Sequence, residues 1–387
     1  MSQTSQTVAT SFLTWVSKTA LPLWAARDLD HAQGGFFERM MPDGTMIDDP
    51  RRARVVGRQI YVFATAEALG WEGDARTIMR HGLNSLFSYH FSSDETIIPV
   101  VDGAGTVMRN DFDLYDQAFV LFGLAAAASI GEDADKLHAK ARILRNRMIE
   151  GWKHPVAGFE EANPRTLPLK ANPHMHILEA SLAWEGISAD SQWQDLADEI
   201  VELCLSRFLC APHGALHEFF DGEWRPVLEH PDDVVEPGHQ AEWAWLLIRW
   251  GCLRNRPDAL AAAKKLIMIA EGPGKDRRHN LYLNELGPDL VVRDRRMRLW
   301  PQTERIKALI ALIAITEDAD ERTKVELWLE EAISGLMKFF EHPVAGSWWE
   351  HIDTGGKPIF EPARVSSLYH IMCAANELKR HLASPAF

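Results

Sequence analysis

The feature that most constrains this chain is a loop that keeps returning. HPVAG occurs twice, in HPVAGFEE at His154–Glu161 and in HPVAGSWWEHIDTGGKP at His342–Pro358. Related segments read HAQGGFFERMMPDG at His31–Gly44 and HGALHEFFDGEW at His213–Trp224, with looser versions around Thr96–Gly105 and Arg278–Asp289. Their spacing is roughly 55 to 68 residues, the length of two helices and two connections. Gly and Asp-Gly mark turns, and the flanking aromatic and Glu residues suit short hairpin strands.

Helical periodicity fills the intervals. Apolar residues recur at steps of three and four in 59–69, 115–128, 177–187, 241–252, 306–315 and 325–339. A helix pair of this length cannot bury its apolar stripe alone, so the units must close on one another. The expected fold is all-α: an (α/α)6 barrel of six helix hairpins with short β-hairpin loops on one face. It is expected to form one domain spanning residues 1–387, without a proline- or serine-rich linker.

Charge and cysteine usage narrow the function. The formal net charge is -14, which disfavours nucleic acid or an anionic membrane as partner. Cys204, Cys210, Cys252 and Cys373 show no zinc-ligand spacing and read as reduced thiols. Residues 1–10 are polar, unlike a secretory signal, and the apolar run 308–315 is too short to span a bilayer. The expectation is a cytoplasmic protein, monomeric or homodimeric. No strand leads into a glycine-rich phosphate loop, and no GxSxG elbow is present.

The chain has 16 histidines. His31, His154, His213 and His342 open the repeat loops, where turn or capping roles suffice. His239, in EPGHQAEWAWLL, follows Pro237-Gly238 and should sit at a helix start, with Glu242 on its face. A solvent-facing His with a first-turn Glu explains that spacing equally well. His176 and Glu179 repeat it in ANPHMHILEA, where Asn172-Pro173 reads as a turn into the helix. Two HxxE spacings are also half of a dinuclear carboxylate metal site, which would need further inward Glu residues. His370, in SSLYHIMCA, lies on an apolar helix where a buried structural His is the plainer reading. Arg58, in RRARVVGRQIYVF, is expected to open a helix, with a guanidinium suited to sugar hydroxyls or a carbonyl oxygen. Trp300 and Glu304 are four apart behind Pro301, and a Trp face can stack on a sugar. For glycoside hydrolysis the best carboxylate pair is Asp113 and Asp116.

Together, GGFFERM, the RQ-x-Y helix at Arg58, NPHMHILEA, GHQAEWAWLL, WPQTE and LYHIMCA resemble the N-acylglucosamine 2-epimerase superfamily over nearly the whole chain. The texture is similar to its mannose isomerase-like branch. The resemblance implies an (α/α)6 barrel acting on a free monosaccharide with no cofactor and no metal. It implies His239 and His370 as the acid/base pair. Arg58, Tyr115, Asn172, His176, Glu242 and Trp300 would then surround the open-chain sugar. The expected reaction is aldose–ketose isomerisation of the mannose/fructose type through a cis-enediolate. The alternatives are a 2-epimerase of N-acylglucosamine or another glucose-type sugar, and a non-catalytic sugar- or protein-binding barrel.

Overall fold

The computed structural model describes residues 3–227 and 233–383. The helices are α1 (Gln3–Trp15), α2 (Leu21–Arg27), α3 (Ala53–Ala68), α4 (Ala75–Ser85), α5 (Leu114–Ser129), α6 (Ala134–Trp152) and α7 (Ala171–Glu185). They continue as α8 (Gln192–Leu203), α9 (Pro237–Arg254), α10 (Pro257–Glu271), α11 (Leu299–Ile315), α12 (Ala319–Met337) and α13 (Ser367–Ala383). A π-helical turn at Val16–Ala20 joins α1 to α2.

Helices α3, α5, α7, α9, α11 and α13 each pack on the next, and α13 packs back on α3, which closes an inner ring. The other ring is outside it: α4, α6, α8, α10 and α12 each cover the inner helix that precedes them, while α1 lies against α12 and α13. Burial follows from this. In α9 nearly every side chain from Pro237 to Trp250 is buried, whereas α8 buries only a stripe through Trp193, Leu196, Ala197, Ile200, Val201 and Leu203. This is the expected (α/α)6 barrel.

Inner helices approach closely where glycine allows it. A Cβ on Gly57 of α3 would lie 2.4 Å from the Phe119 carbonyl oxygen of α5, and one on Gly123 would lie 2.5 Å from the Gly57 oxygen. A side chain at either position would push the two helices apart.

All six recurring loops lie on the same face, between an outer helix and the next inner one. The two HPVAG copies form the same turn. The Val156 amide donates to His154 Nδ1 and the Val344 amide to His342 Nδ1, each at 3.1 Å. Gly158 and Gly346 then take positive φ of 72° and 93°. His154 and His342 are turn residues, as their loop positions suggest. Short strands stitch these loops together. Arg51–Arg52 pairs with Val100–Val101, Leu169–Lys170 with Phe219–Phe220, and Met297–Arg298 with His351–Ile352. Arg39–Met40 pairs with Ala363–Arg364, joining the first loop to the last.

Candidate active site

The inner helices begin at the looped face and surround a cavity of about 1140 Å³. Arg58, Tyr115, Asn172, His176, His239, Glu242, Trp300 and His370 all line it. Six different inner helices therefore contribute to one site, although the residues are spread over more than three hundred positions of sequence.

His239 lies in the first turn of α9, as Pro237-Gly238 indicates, and is 7% exposed. Its Nδ1 bonds Glu218 Oε1 at 2.8 Å, and Glu236 Oε2 lies 3.9 Å away. Glu242, the neighbour expected from spacing, is close enough for its charge to reach His239 and also stands 3.8 Å from the Lys307 ammonium. Burial on its own would disfavour a charged His239. The carboxylates of Glu218, Glu236 and Glu242 outweigh it and push the pKa up to about 10. At neutral pH His239 is an imidazolium whose Nε2–H is left to donate into the cavity.

His370 sits one turn into α13, also 7% exposed. Its Nδ1 bonds Glu304 Oε1 at the same 2.8 Å. Here the carboxylate is already claimed: Lys307 Nζ lies 2.6 Å from Glu304 Oε2 and 3.8 Å from Glu242 Oε1. Burial, and then the charges of Arg58 and Lys307, hold the His370 pKa well below the ordinary 6.5. A neutral ring donating Nδ1–H to Glu304 exposes a basic Nε2 lone pair.

The indole of Trp300 lies between the two imidazoles, with ring centroids 4.9 Å from His239 and 5.6 Å from His370. Arg58 is buried in the second turn of α3 rather than at its start. Its guanidinium donates to Tyr115 Oη at 2.7 Å and lies 4.0 Å over the Phe119 ring. His176 Nδ1 bonds Glu179 Oε2 at 3.2 Å, and the Tyr369 hydroxyl, across the ring, donates to the same oxygen. Burial foremost drives the His176 pKa down to about 4, so that ring too is neutral. Asn172 Oδ1 and Glu242 Oε1 are buried without a hydrogen-bond partner among the described residues, which suits them to substrate hydroxyls.

The floor of the cavity also gathers potential metal donors. One set is His176, Glu179 and Glu242, and the other is Glu242, Glu304 and His370, each with donor atoms within 4.8 Å of one another. The HxxE spacing of His176 and Glu179 does bring its two residues together. The second set does not follow an HxxE spacing, and the Lys307 ammonium already stands against two of its carboxylates. The rival carboxylate pair is tied up. Asp113 caps α5 and pairs with Arg54 and Arg109, and Asp116 accepts from the Arg54 amide and lies 2.9 Å from its guanidinium.

Glu218, Glu236 and Lys307 belong to the site without having been singled out in the sequence. Glu218 and Glu236 lie in loop segments with no periodic signal. Lys307 had a visible mark: a charge in the otherwise apolar run of α11, three residues after Glu304. Trp348 and Trp349 are packed in the protein rather than on the cavity, and Trp348 stacks on Trp24.

A closed ring of buried helices around a polar cavity with two carboxylate-backed histidines is an (α/α)6 barrel equipped for proton transfer. Relatives support that reading. The family profile described as N-acylglucosamine 2-epimerase (GlcNAc 2-epimerase) matches residues 35–374, and the chain belongs to this family. It is 39% identical over 368 residues to "Mannose-6-phosphate isomerase" of Rhizobium meliloti (strain 1021), covering 94% of this chain and 95% of that one. The solved structure of a D-mannose isomerase superimposes with a TM-score of 0.87 at 20% identity, covering 98% of this chain and 99% of that one. The cellobiose 2-epimerase of Bacillus thermoamylovorans B4167 also gives 0.87, at 17% identity, over 97% and 100%. These two show the shared fold. No described helix is long and apolar enough to cross a membrane.

Proposed function

We propose that the protein is an aldose–ketose isomerase of the mannose/fructose type, with His370 as base and His239 as acid. The observation that carries this reading is the geometry of two histidines lining one cavity, each with Nδ1 on a glutamate at 2.8 Å. A second carboxylate stands 3.9 Å from His239, and the Lys307 ammonium stands 2.6 Å from the glutamate of His370. The open-chain sugar lies along Trp300 with C1 and C2 between them. Nε2 of His370 takes the C2 proton, and the C2–H electron pair becomes the C1–C2 double bond. The carbonyl electrons move to O1, where the Nε2–H of His239 and the Arg58 guanidinium stabilise the negative charge and O1 is protonated. The O2 hydroxyl then loses its proton to the deprotonated His239 as the C2 carbonyl forms. His370 returns its proton to C1, and both histidines regain their starting charges.

Epimerisation would need the proton delivered to C2 from the opposite face, which leaves His239 neutral and His370 charged. The carboxylates around His239 and the cations around His370 oppose that end state. One-sided proton shuttling by His370 is therefore favoured. Glu242, Asn172 and His176 are assigned to the sugar hydroxyls, and no metal takes part. The relatives' names include both mannose 6-phosphate and D-mannose, and the reading takes their common skeleton.

Incubation with mannose or its 6-phosphate in heavy water, followed by NMR, tests this. The ketose is the expected product, carrying deuterium at C1 to the extent that the proton on His370 exchanges with solvent before it returns. Deuterated glucose or its 6-phosphate as the main product would establish the epimerase, and neither product nor exchange from either aldose would overturn the enzymatic reading.

A further inference from the structure

The rim of the cavity holds cations in positions that cost energy. The inner helices present their N-termini there, where the helix dipole favours anions and opposes Lys or Arg. Arg52 precedes α3 and Lys170 precedes α7, and each is offset by a carboxylate: Glu38 at 2.5 Å and Glu161 at 3.5 Å. Arg298 precedes α11, and among the described residues its side chain has no ion-pair partner. Glu236 and Glu361 are the carboxylates whose charge reaches it, but Glu236 faces His239, and Glu361 is bonded by His351 at 2.6 Å.

Arg364 presents the same situation from the neighbouring helix. It precedes α13 by two residues, lines the cavity, and makes no side-chain ion pair among the described residues. Arg364 stands directly opposite Arg39 in the strand pair that closes the barrel. Like charges so placed repel. Arg39 is paired with Asp49 at 2.7 Å, whereas Arg364 has only the charge of Glu361 near it, which it shares with Arg298. In a chain of net charge -14, two guanidinium groups lining one cavity without a direct ion-pair partner among the described residues, and sharing the charge of Glu361, point to an anionic ligand.

The distances suit a substrate that spans the cavity. The Arg298 guanidinium lies 5.6 Å from the centroid of the same Trp300 ring that separates the two histidines. A sugar with its C1–C2 end between His239 and His370 can thus extend its far end to the rim. We propose that Arg298 and Arg364 form a subsite for a phosphomonoester at the end of the sugar remote from its carbonyl. Resting on the isomerase reading for the orientation of the sugar, this makes the preferred substrate a hexose 6-phosphate rather than the free hexose. Planar guanidinium groups fit phosphate oxygens in paired hydrogen bonds.

Calorimetry with mannitol 1-phosphate and with mannitol tests the subsite without turnover, because neither sugar alcohol can isomerise. The phosphorylated alcohol should bind the wild-type protein about tenfold tighter or more, and Arg298→Ala or Arg364→Ala should each erase most of that preference. In kinetics, the kcat/KM ratio of mannose 6-phosphate to mannose should fall about tenfold in either variant. Equal binding of the two alcohols, or a preference untouched by both substitutions, would overturn the subsite. A preference that persists in a protein turning over neither sugar would support the subsite while sinking the isomerase reading.

Discussion

The two sides of the cavity are built from the same parts and do opposite things. On each side a buried histidine donates Nδ1–H to a glutamate at 2.8 Å. On the α9 side the glutamate, Glu218, has a second carboxylate near the same histidine and, among the described residues, no ammonium paired with it. On the α13 side Glu304 is neutralised by Lys307 before it can charge its histidine. One hydrogen-bond geometry therefore yields an imidazolium at His239 and a neutral base at His370. A His–Glu contact alone does not tell charge; the third group behind the glutamate does.

The largest effect comes from removing either side. His239→Ala and His370→Ala should each cut turnover by roughly 100- to 10,000-fold with the helical circular dichroism intact. A variant that unfolds instead would make that histidine a core residue. Lys307→Met attacks the asymmetry itself. It leaves Glu304 and Glu242 buried without their cation, at roughly 3–5 kcal/mol measured by denaturant unfolding. It also removes a charge that holds His370 neutral, so the acid limb of the pH–rate profile should move to higher pH. An unmoved limb in a folded variant would detach Lys307 from the base.

Glu218→Gln probes the other side more gently. Its carboxylate raises the His239 pKa, so its loss lowers that value from about 10 toward the ordinary 6.5. The acid form is then lost earlier, and the alkaline limb should move down by about one pH unit or more. Glu304→Gln should leave the alkaline limb in place. The smallest expected effect is that of a chelator: EDTA should not change the rate, and inhibition reversed by added metal would assign the floor carboxylates to an ion.

The sequence displayed the inner ring better than the outer one. Five of the six periodic stretches fall on α3, α5, α7, α9 and α11, because helices buried on almost every face carry long apolar runs. Helices such as α4 and α6 bury one stripe and fill the rest with charge, so the loops between them were the more legible sign. Ile177–Ile187 shows how caps are missed: α7 begins six residues earlier, at Ala171, where its polar first turn faces the cavity. The site shows the same division. Residues on inner helices, such as His176 and Trp300, were visible as polar or aromatic marks at helix starts. Glu218 and Glu236 were not, because loop residues carry no period and their distance to His239 is set only by ring closure. Lys307 was visible, yet its meaning depends on Glu304 and Glu242 arriving from two helices.

The most direct test is to read the charge of the two imidazoles. Nitrogen-15 NMR of the ring nitrogens, assigned with His239→Gln and His370→Gln, would follow both residues between about pH 6 and pH 9. The account expects an imidazolium signature at His239 and a neutral Nδ1–H tautomer at His370 throughout that range. Two histidines titrating together near their ordinary value would contradict it.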